Sequence, residues 1–510
     1  MSNLKKQAIN IVWFKRDLRV VDHEALAMAS KRGPVLPLYI FEPMLWEEPD
    51  MSRRHHLFLK ACLYELNASL EAIGQRLIIK SGNAVDVLER THKRHQIQSL
   101  WSHQETWNGW TYTRDKAVNH WCHTRNIPWH QPTQNGVIRC LSDRDGWSAK
   151  WYGRMKKPVL EAPEALQSIE ESSEALPDAD ALCLQADPVT TLQKGGRPAG
   201  LELLSNFLHE RGEGYSKEMS SPVTAFDSCS RLSAHLAFGT VSMREVSLAC
   251  EQRRQQIKEM PRGMKGKWPS AIRSFSGRLR WHCHFMQKLE DEPRIEFENM
   301  HPDYDGLREN GFNELFFEAW KAGKTGYPMV DACMRALTST GWLNFRMRAM
   351  IMSFASYHLW LHWRRPALHL AKLFTDYEPG IHYSQAQMQS GTTGINTIRI
   401  YNPIKQGLDH DPEGTFIRHW IPELRSMDQA FIHTPWLAVS QMGAYPMPVI
   451  DEKEGRKAAA GKLYGLRKKS KTHKKIAEKI VSKHGSRKSG LPRRTGHQTH
   501  NLSKQEELPL

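Results

Sequence analysis

Short apolar runs alternating with helical periodicities fill the first 135 positions. Ile9 to Phe14 and Val35 to Phe41 are apolar stretches of the length expected for buried parallel strands. Between them, residues 24–31 carry a helical spacing. Residues 53–73 do the same, with Leu57, Leu59, Cys62, Leu63, Leu66 and Leu70 as the apolar set. Leu77 to Lys80 then predicts a strand, 84–92 a helix, Leu100-Trp101 a further strand, and a helix follows through Trp121. Such β–α alternation predicts an α/β domain with a doubly wound parallel sheet over residues 1–135.

Residues 136–200 change character. They are rich in Pro, Glu, Ser and Ala, show little periodicity, and predict an inter-domain connector. Its Gly195–Gly200 run has no strand before it and is read as connector, not as a phosphate loop. From 201 a helical period takes over, with helices predicted at 201–211, 240–258, 267–289, 312–322, 328–340, 344–363 and 365–374. An all-α domain over 201–450 follows from them. A chain of 510 residues has room for more than one core. Its most apolar stretch, Ala349 to Trp363, is interrupted by Ser353, Ser356, Tyr357, His358 and His362, so a buried helix is predicted there and no membrane span. The first residues, Met-Ser-Asn-Leu-Lys-Lys, show no secretory apolar region, and a cytoplasmic protein is expected.

Charge changes this picture at one end. From Asp451 onward 17 Lys and Arg face 6 Asp and Glu, so about +11 of the net +16 lies in the extension 451–510. Gly455 to Lys488 interleaves Lys and Arg with Ala, Leu and Ile, predicting a basic, frayed terminal helix with a disordered end. A polyanion, nucleic acid above all, is the expected partner, with a merely solubilising tail as the alternative. The eight cysteines are scattered without a CxxC pair, so neither a disulfide framework nor a metal cage is predicted, and most are expected to be buried. His282 and His284 lie two residues apart on a predicted helix and point to different faces, so no metal pair is expected of them.

Two blocks carry chemistry. The first runs Gly323-Lys324-Thr325-Gly326-Tyr327-Pro328 and on through Asp331, Arg335 and Thr340-Gly341-Trp342-Leu343-Asn344-Phe345-Arg346-Met347-Arg348. The second is Gly391-Thr392-Thr393-Gly394-Ile395-Asn396-Thr397-Ile398-Arg399-Ile400-Tyr401-Asn402-Pro403. Together they resemble the flavin-binding half of the photolyase/cryptochrome family. The opening Val12-Trp13-Phe14-Lys15-Arg16-Asp17-Leu18-Arg19 is similar to that family's α/β domain. The resemblance implies FAD, bent, among the C-terminal helices. Tyr215 and Ser230-Arg231-Leu232-Ser233 resemble the element that grips its diphosphate, although Ser230 alone reads equally as a helix cap. Arg278, His282 and Asn344 are counted with the flavin-binding set. Arg348 and Asp376 resemble an ion pair beside the flavin ring, where a cation would stabilise an anionic reduced flavin; a purely structural pair is the alternative. Glu378 matches an acidic residue facing the pyrimidine edge. His382 matches the position facing N5, where an imidazole would hydrogen-bond or exchange a proton near neutral pH.

The chain also departs from the family pattern. Its innermost electron-relay tryptophan aligns with Ala386 and a substrate-facing one with Met388, whereas Trp363 matches the next relay position; Trp320, Trp342 and Trp360 lie nearby in sequence. Arg278, Phe345 and Ala349 stand where relatives carry a Glu, an Asn and a Met against the damaged bases, and Trp281 remains as a stacking platform. Catalytic roles are therefore expected of His382, Trp281 and Trp363, and substrate contact of Trp281, Phe345 and Met388. The implied function is FAD-dependent, light-driven repair of UV-damaged DNA by a lyase of the photolyase type, on duplex or single strands, by a monomer. A blue-light receptor without repair activity is the alternative. A folate or deazaflavin antenna is compatible with the resemblance.

Overall fold

The computed structural model describes residues 7–485. Five parallel strands form one sheet: β1 (Ala8–Phe14), β2 (Val35–Phe41), β3 (Ile78–Ser81), β4 (Gln96–Trp101) and β5 (Trp129–His130), in the order β3-β2-β1-β4-β5. The central strand explains its own apolar run. Val12 and Phe14 face one helical layer, and Ile9, Ile11 and Trp13 face the other, so both faces are buried and no polar alternation survives. Strand order reverses between β1 and β4, as doubly wound sheets require. The two-residue β5 was not legible in the sequence.

Residues 136–200 are no loose linker. The segment contains a helix, Trp147–Met155, and then lies along the sheet edge. The Leu166 amide donates to Ile73 O (2.6 Å) and the Glu174 amide to Ile79 O (2.8 Å). Glu171 binds Lys80, Arg94 and His95, and Asp187 pairs with the buried Arg54.

The C-terminal part is built of helices, chiefly Trp268–Asp291, Pro328–Thr340, Phe345–Ser353, Arg364–Leu373 and Pro379–Ser390. The single helix expected over 344–363 breaks: its α-turns end at Ser353, a π-turn runs Phe354–His358, and Trp360 takes a left-handed φ of 54°. Sheet and helices meet at the turn after β1. Leu18 N–H donates to Phe238 O at 3.2 Å, and Arg19 donates to Gly239 O at 2.8 Å. Gly239 is needed there: its φ is +66° and a Cβ would lie 2.1 Å from the Arg16 carbonyl oxygen.

The basic extension forms two helices, Glu452–Lys469 and His473–His484. They do not fray. Ala459 and Leu463 pack with Tyr304, Tyr357 and Ile398, and Ile480 packs with Leu289, Ile295 and Met300. His473 reaches Asp303 at 2.9 Å and His484 reaches Glu292. Amphipathicity, with lysines outward and a few aliphatics inward, is what holds them down. The disordered end expected beyond Lys488 and the Met-Ser-Asn-Leu-Lys-Lys start lie outside the described residues. Among the described residues no helix is long and apolar enough to cross a membrane. All eight cysteines are unpaired, with Cys140 and Cys183 exposed.

Candidate functional site

A cavity of about 300 Å³ opens between the Trp268–Asp291, Phe345–Ser353 and Pro379–Ser390 helices. Tyr215, Ser230, Arg231, Ser233, Arg278, His282, Asn344, Phe345, Arg348, Asp376, Glu378 and His382 all line it. Of the flavin-binding set read from the sequence, Leu232 alone stands off the wall and is buried in a neighbouring core. Trp281, Trp363 and Met388 are not on the wall either. Trp281 packs beside His284 and Phe285, and Trp363 is fully buried with its indole N–H on Asn299 (2.8 Å).

Why these side chains converge is local. The Gly341 turn ends one helix in a left-handed conformation and lets Asn344 start the next. Asn344 donates its amide to Met219 O and Ser220 O, tying the Tyr215 segment to the cavity. Arg231 adopts φ +59°, a strained conformation for a non-glycine residue. Its guanidinium lies over Phe226 and Trp342, at 4.0 and 4.3 Å from the ring centroids. Ser230 does not cap the following helix; the residue at that position is Leu232.

Electrostatics divide the wall. Arg348 donates to both Asp376 oxygens, at 3.0 and 2.8 Å, and lies 4.0 Å from the Phe374 centroid. Burial works to raise the Asp376 carboxyl, but Arg348, with the Ser233 hydroxyl and Arg231, together outweigh it and hold the group below the usual range. Glu378 has no such partner: burial pushes it up to about 8, so it is a neutral acid at neutral pH. His282 Nε2 lies 3.7 Å from Glu378, and burial lowers that imidazole to about 4. His382 is also lowered to about 4 by burial, and its Nε2 is 2.7 Å from Ala367 O. The carbonyl fixes the tautomer with the proton on Nε2, leaving Nδ1 as an acceptor. Of the two roles expected of His382, hydrogen bonding and proton exchange, this geometry favours the first.

Part of the wall was not among the cofactor-binding residues expected from the sequence, although Ala386 and Trp342 were named for the electron relay. Gln385, Ala386 and Gln389 join His382 on one face of the Pro379–Ser390 helix, spaced i, i+3, i+4 and i+7. Tyr377 and Trp342 line the cavity too. His282 Nδ1, Asn344 Oδ1, Arg231 Nε and Gln385 Nε2 are buried without a hydrogen-bond partner among the described residues. Unpaired polar atoms converging on an apolar cavity with three guanidinium groups suit a ligand that is aromatic, hydrogen-bonding and anionic. FAD is such a ligand. Arg231, Arg278 and the serine hydroxyls would hold its diphosphate, and Arg348, His382 and Glu378 its ring.

A second small ligand in an open parallel sheet would sit beyond the carboxyl ends of β1 and β4. Lys15, Glu42, Glu105, Arg114 and Asp115 occupy that place with ion pairs of 2.5–3.5 Å, among them Arg114–Glu42 and Lys15–Glu105. Asp17, held by His23 and His103, lies beside them.

Two family profiles match the chain: DNA photolyase over residues 10–171 and the FAD-binding domain of DNA photolyase over residues 275–464. A deoxyribodipyrimidine photo-lyase of Streptomyces griseus is 28% identical over 473 residues, covering 88% of this chain and 98% of that protein. Cryptochrome-2 of Arabidopsis thaliana is 28% identical over 465 residues, covering 85% of this chain and 73% of that one. The crystal structure of a bacterial class III photolyase from Agrobacterium tumefaciens superposes with a TM-score of 0.78 at 24% identity, over 92% of this chain and 99% of that one.

Proposed function

Since the chain belongs to the photolyase/cryptochrome family, we propose that it is an FAD-dependent, light-driven DNA-repair enzyme of the deoxyribodipyrimidine photolyase type, acting on a UV-induced pyrimidine lesion. The observation that carries this reading is the convergence of Arg348, Asp376, Glu378 and His382 on one cavity within the segment that matches the FAD-binding profile. When bound there, FAD would supply light absorption and the one-electron chemistry. The protein's own groups bind and orient it. Arg348 keeps a positive charge against the ring, Asp376 fixes that guanidinium, His382 offers a lone pair, and Arg231 and Arg278 hold phosphate oxygens. Arg278 lies over Phe345 at 4.5 Å, so the base-facing wall is cationic and aromatic. The enzyme is taken to act as a monomer, on single as well as double strands.

One specific observation favours a second reading, a blue-light receptor without repair. Ala386 and Ala349 put methyl groups on the cavity wall where relatives present larger, substrate-facing or relay side chains. Purified, chemically reduced protein illuminated with damaged single- and double-stranded oligonucleotides separates the two. Loss of a lesion with light is expected; no loss of any lesion supports the receptor.

The extension gives a further expectation. Lys453, Lys457, Lys468, Lys469, Lys474 and Lys475 are exposed on helices anchored by Leu463 and Ile480, with Lys471 exposed in the bend between them, a surface suited to phosphates. Truncation after Val449 would uncover the apolar groups beneath, so charge removal is the cleaner test. Changing Lys468, Lys469, Lys474 and Lys475 to Gln is expected to flatten the slope of log affinity against log salt by roughly 0.9 for each phosphate no longer neutralised. Fluorescence anisotropy with an undamaged duplex measures it, and an unchanged slope leaves the extension only a solubilising role.

A further inference from the structure

A phenol on the cavity wall is bound to a buried carboxylate that the function above does not use. Tyr377 lines the cavity, its ring 5.3 Å from that of His382. Its hydroxyl lies 2.6 Å from Asp50 Oδ2, which also accepts from Asn108 Nδ2 at 3.2 Å. Asp50 comes from the other half of the molecule, and both residues are 2% exposed. Asp50 Oδ1 has no hydrogen-bond partner among the described residues. Behind Tyr377 stands Tyr383, hydroxyl to hydroxyl at 3.2 Å, and the Tyr383 ring is 6.2 Å from that of Trp363. A continuous aromatic line thus runs from the cavity into the core.

We propose that Tyr377 is a proton-coupled electron donor to the redox group in the cavity, with Asp50 accepting its phenolic proton and Trp363 refilling it through Tyr383. The inference rests on the flavin reading and names photoexcited oxidised flavin as the oxidant and a thiol as the final reductant. An electron leaves the Tyr377 ring while its hydroxyl proton crosses to Asp50, giving a neutral tyrosyl radical and a neutral carboxylic acid. An electron from Trp363, passed by way of Tyr383, then reduces the radical, and Tyr377 takes its proton back from Asp50. The hole now resides on Trp363 and everything between is restored; the thiol fills it, giving up one electron and one proton.

Physical chemistry selects this line. A phenol that loses an electron becomes so strong an acid that its oxidation needs a proton acceptor at hand, whereas the Trp363 indole can carry the hole with its proton kept. A carboxylate within hydrogen-bond reach supplies that acceptor. Burial raises the proton affinity of Asp50, against the opposing hydrogen bonds from Tyr377 and Asn108. Three other tryptophans lie under cations: Trp107 has the Arg16 guanidinium 3.3 Å from its centroid, and Trp342, on the cavity wall, has that of Arg231 at 4.3 Å. Trp360 carries Lys462 and Arg308 at 4.3 and 4.4 Å. Coulomb repulsion disfavours a hole on any of the three.

The test uses the full chain loaded with FAD. Under blue light with a thiol, loss of the oxidised-flavin absorption is expected to slow by about a hundredfold in both Tyr377→Phe and Asp50→Asn, the low end of what a positioned proton acceptor contributes. Phe keeps the ring, and Asn keeps a hydrogen-bond acceptor, so packing is largely preserved. In Trp363→Phe, frozen under illumination without thiol, the electron paramagnetic resonance spectrum should be a tyrosyl radical. It should narrow when ring-deuterated tyrosine is incorporated and vanish when Tyr377→Phe is added. Unchanged rates in both single variants, or a radical indifferent to tyrosine deuteration, overturn the relay and leave the flavin reading intact. Wild-type protein that takes up no FAD overturns both.

Discussion

Replacing Arg348 with Met is expected to destabilise the flavin-free helical domain by about 1–3 kcal/mol, less than for a fully buried pair because the Arg348 side chain is 28% exposed. The reason lies in what is left behind. Asp376 has its side chain 4% exposed and receives two hydrogen bonds from Arg348. Without them an ionised carboxylate stands in a low dielectric, and the more distant Arg231 offsets only part of that charge. Arg348 also donates to Leu343 O and covers Phe374, so packing is lost with the charge. Removing both partners, as Arg348→Met with Asp376→Leu, should recover most of the loss, because no orphan charge remains. Urea unfolding of the four proteins in this cycle measures the coupling. A single-variant loss below ~1 kcal/mol would mean that water solvates the pair and that the cavity is wet.

The sheet was readable because its physics is one-dimensional. A central parallel strand is buried on both faces, and Ile9 to Phe14 announces that as an apolar run. The helical half was readable wherever an apolar stripe faced one core, as along Pro328–Thr340. The Pro379–Ser390 helix escaped because it has no such stripe. One face packs Tyr383 and Gln387 into the core while another presents His382, Gln385, Ala386 and Gln389 to the cavity, so apolar and polar residues do not segregate. The break within 344–363 escaped for a related reason: an apolar sequence without Pro or Gly carries no mark of a π-turn.

Site residues were readable as a resemblance, carried by the blocks Gly323 to Arg348 and Gly391 to Pro403. What those strings do not carry is tertiary. Asp50 lies over 320 positions before Tyr377, and only the folded chain brings the two to 2.6 Å. In the same way, nothing in Glu-Pro-Gly-Ile-His indicates that the Glu378 carboxyl is neutral and the His382 imidazole uncharged at pH 7. Burial sets both. The path of the connector was not readable, because its Pro- and Glu-rich composition carries no period. Its buried contacts are scattered ion pairs such as Asp187–Arg54 and Glu171–Lys80, which leave no periodic trace.

Glu378→Gln is expected to stabilise the flavin-free protein at high pH and to do nothing at low pH. Below about pH 4.5 the carboxyl is protonated folded and unfolded alike, so it contributes no pH dependence. Between there and about 8 the unfolded chain has lost this proton while the native protein retains it, and native stability falls as pH rises. Above 8 both states are ionised and the full penalty, roughly 5 kcal/mol for a shift of this size, is in place. Glutamine escapes it. The difference between variant and wild type in urea should therefore open from near zero at pH 4.5 to several kcal/mol at pH 8.5. Parallel curves would mean that Glu378 is solvated and acidic. The same titration governs the cavity's charge. At neutral pH the wall carries Arg231, Arg278 and Arg348 against Asp376 alone, a net excess of positive charge that suits a diphosphate. Ionising Glu378 cancels part of that excess, so FAD should bind the wild type more weakly as pH passes 8, while the Gln variant holds its affinity. Flavin fluorescence titrations across that range would show the two curves diverge, or would show that the carboxyl does not sense the cofactor at all.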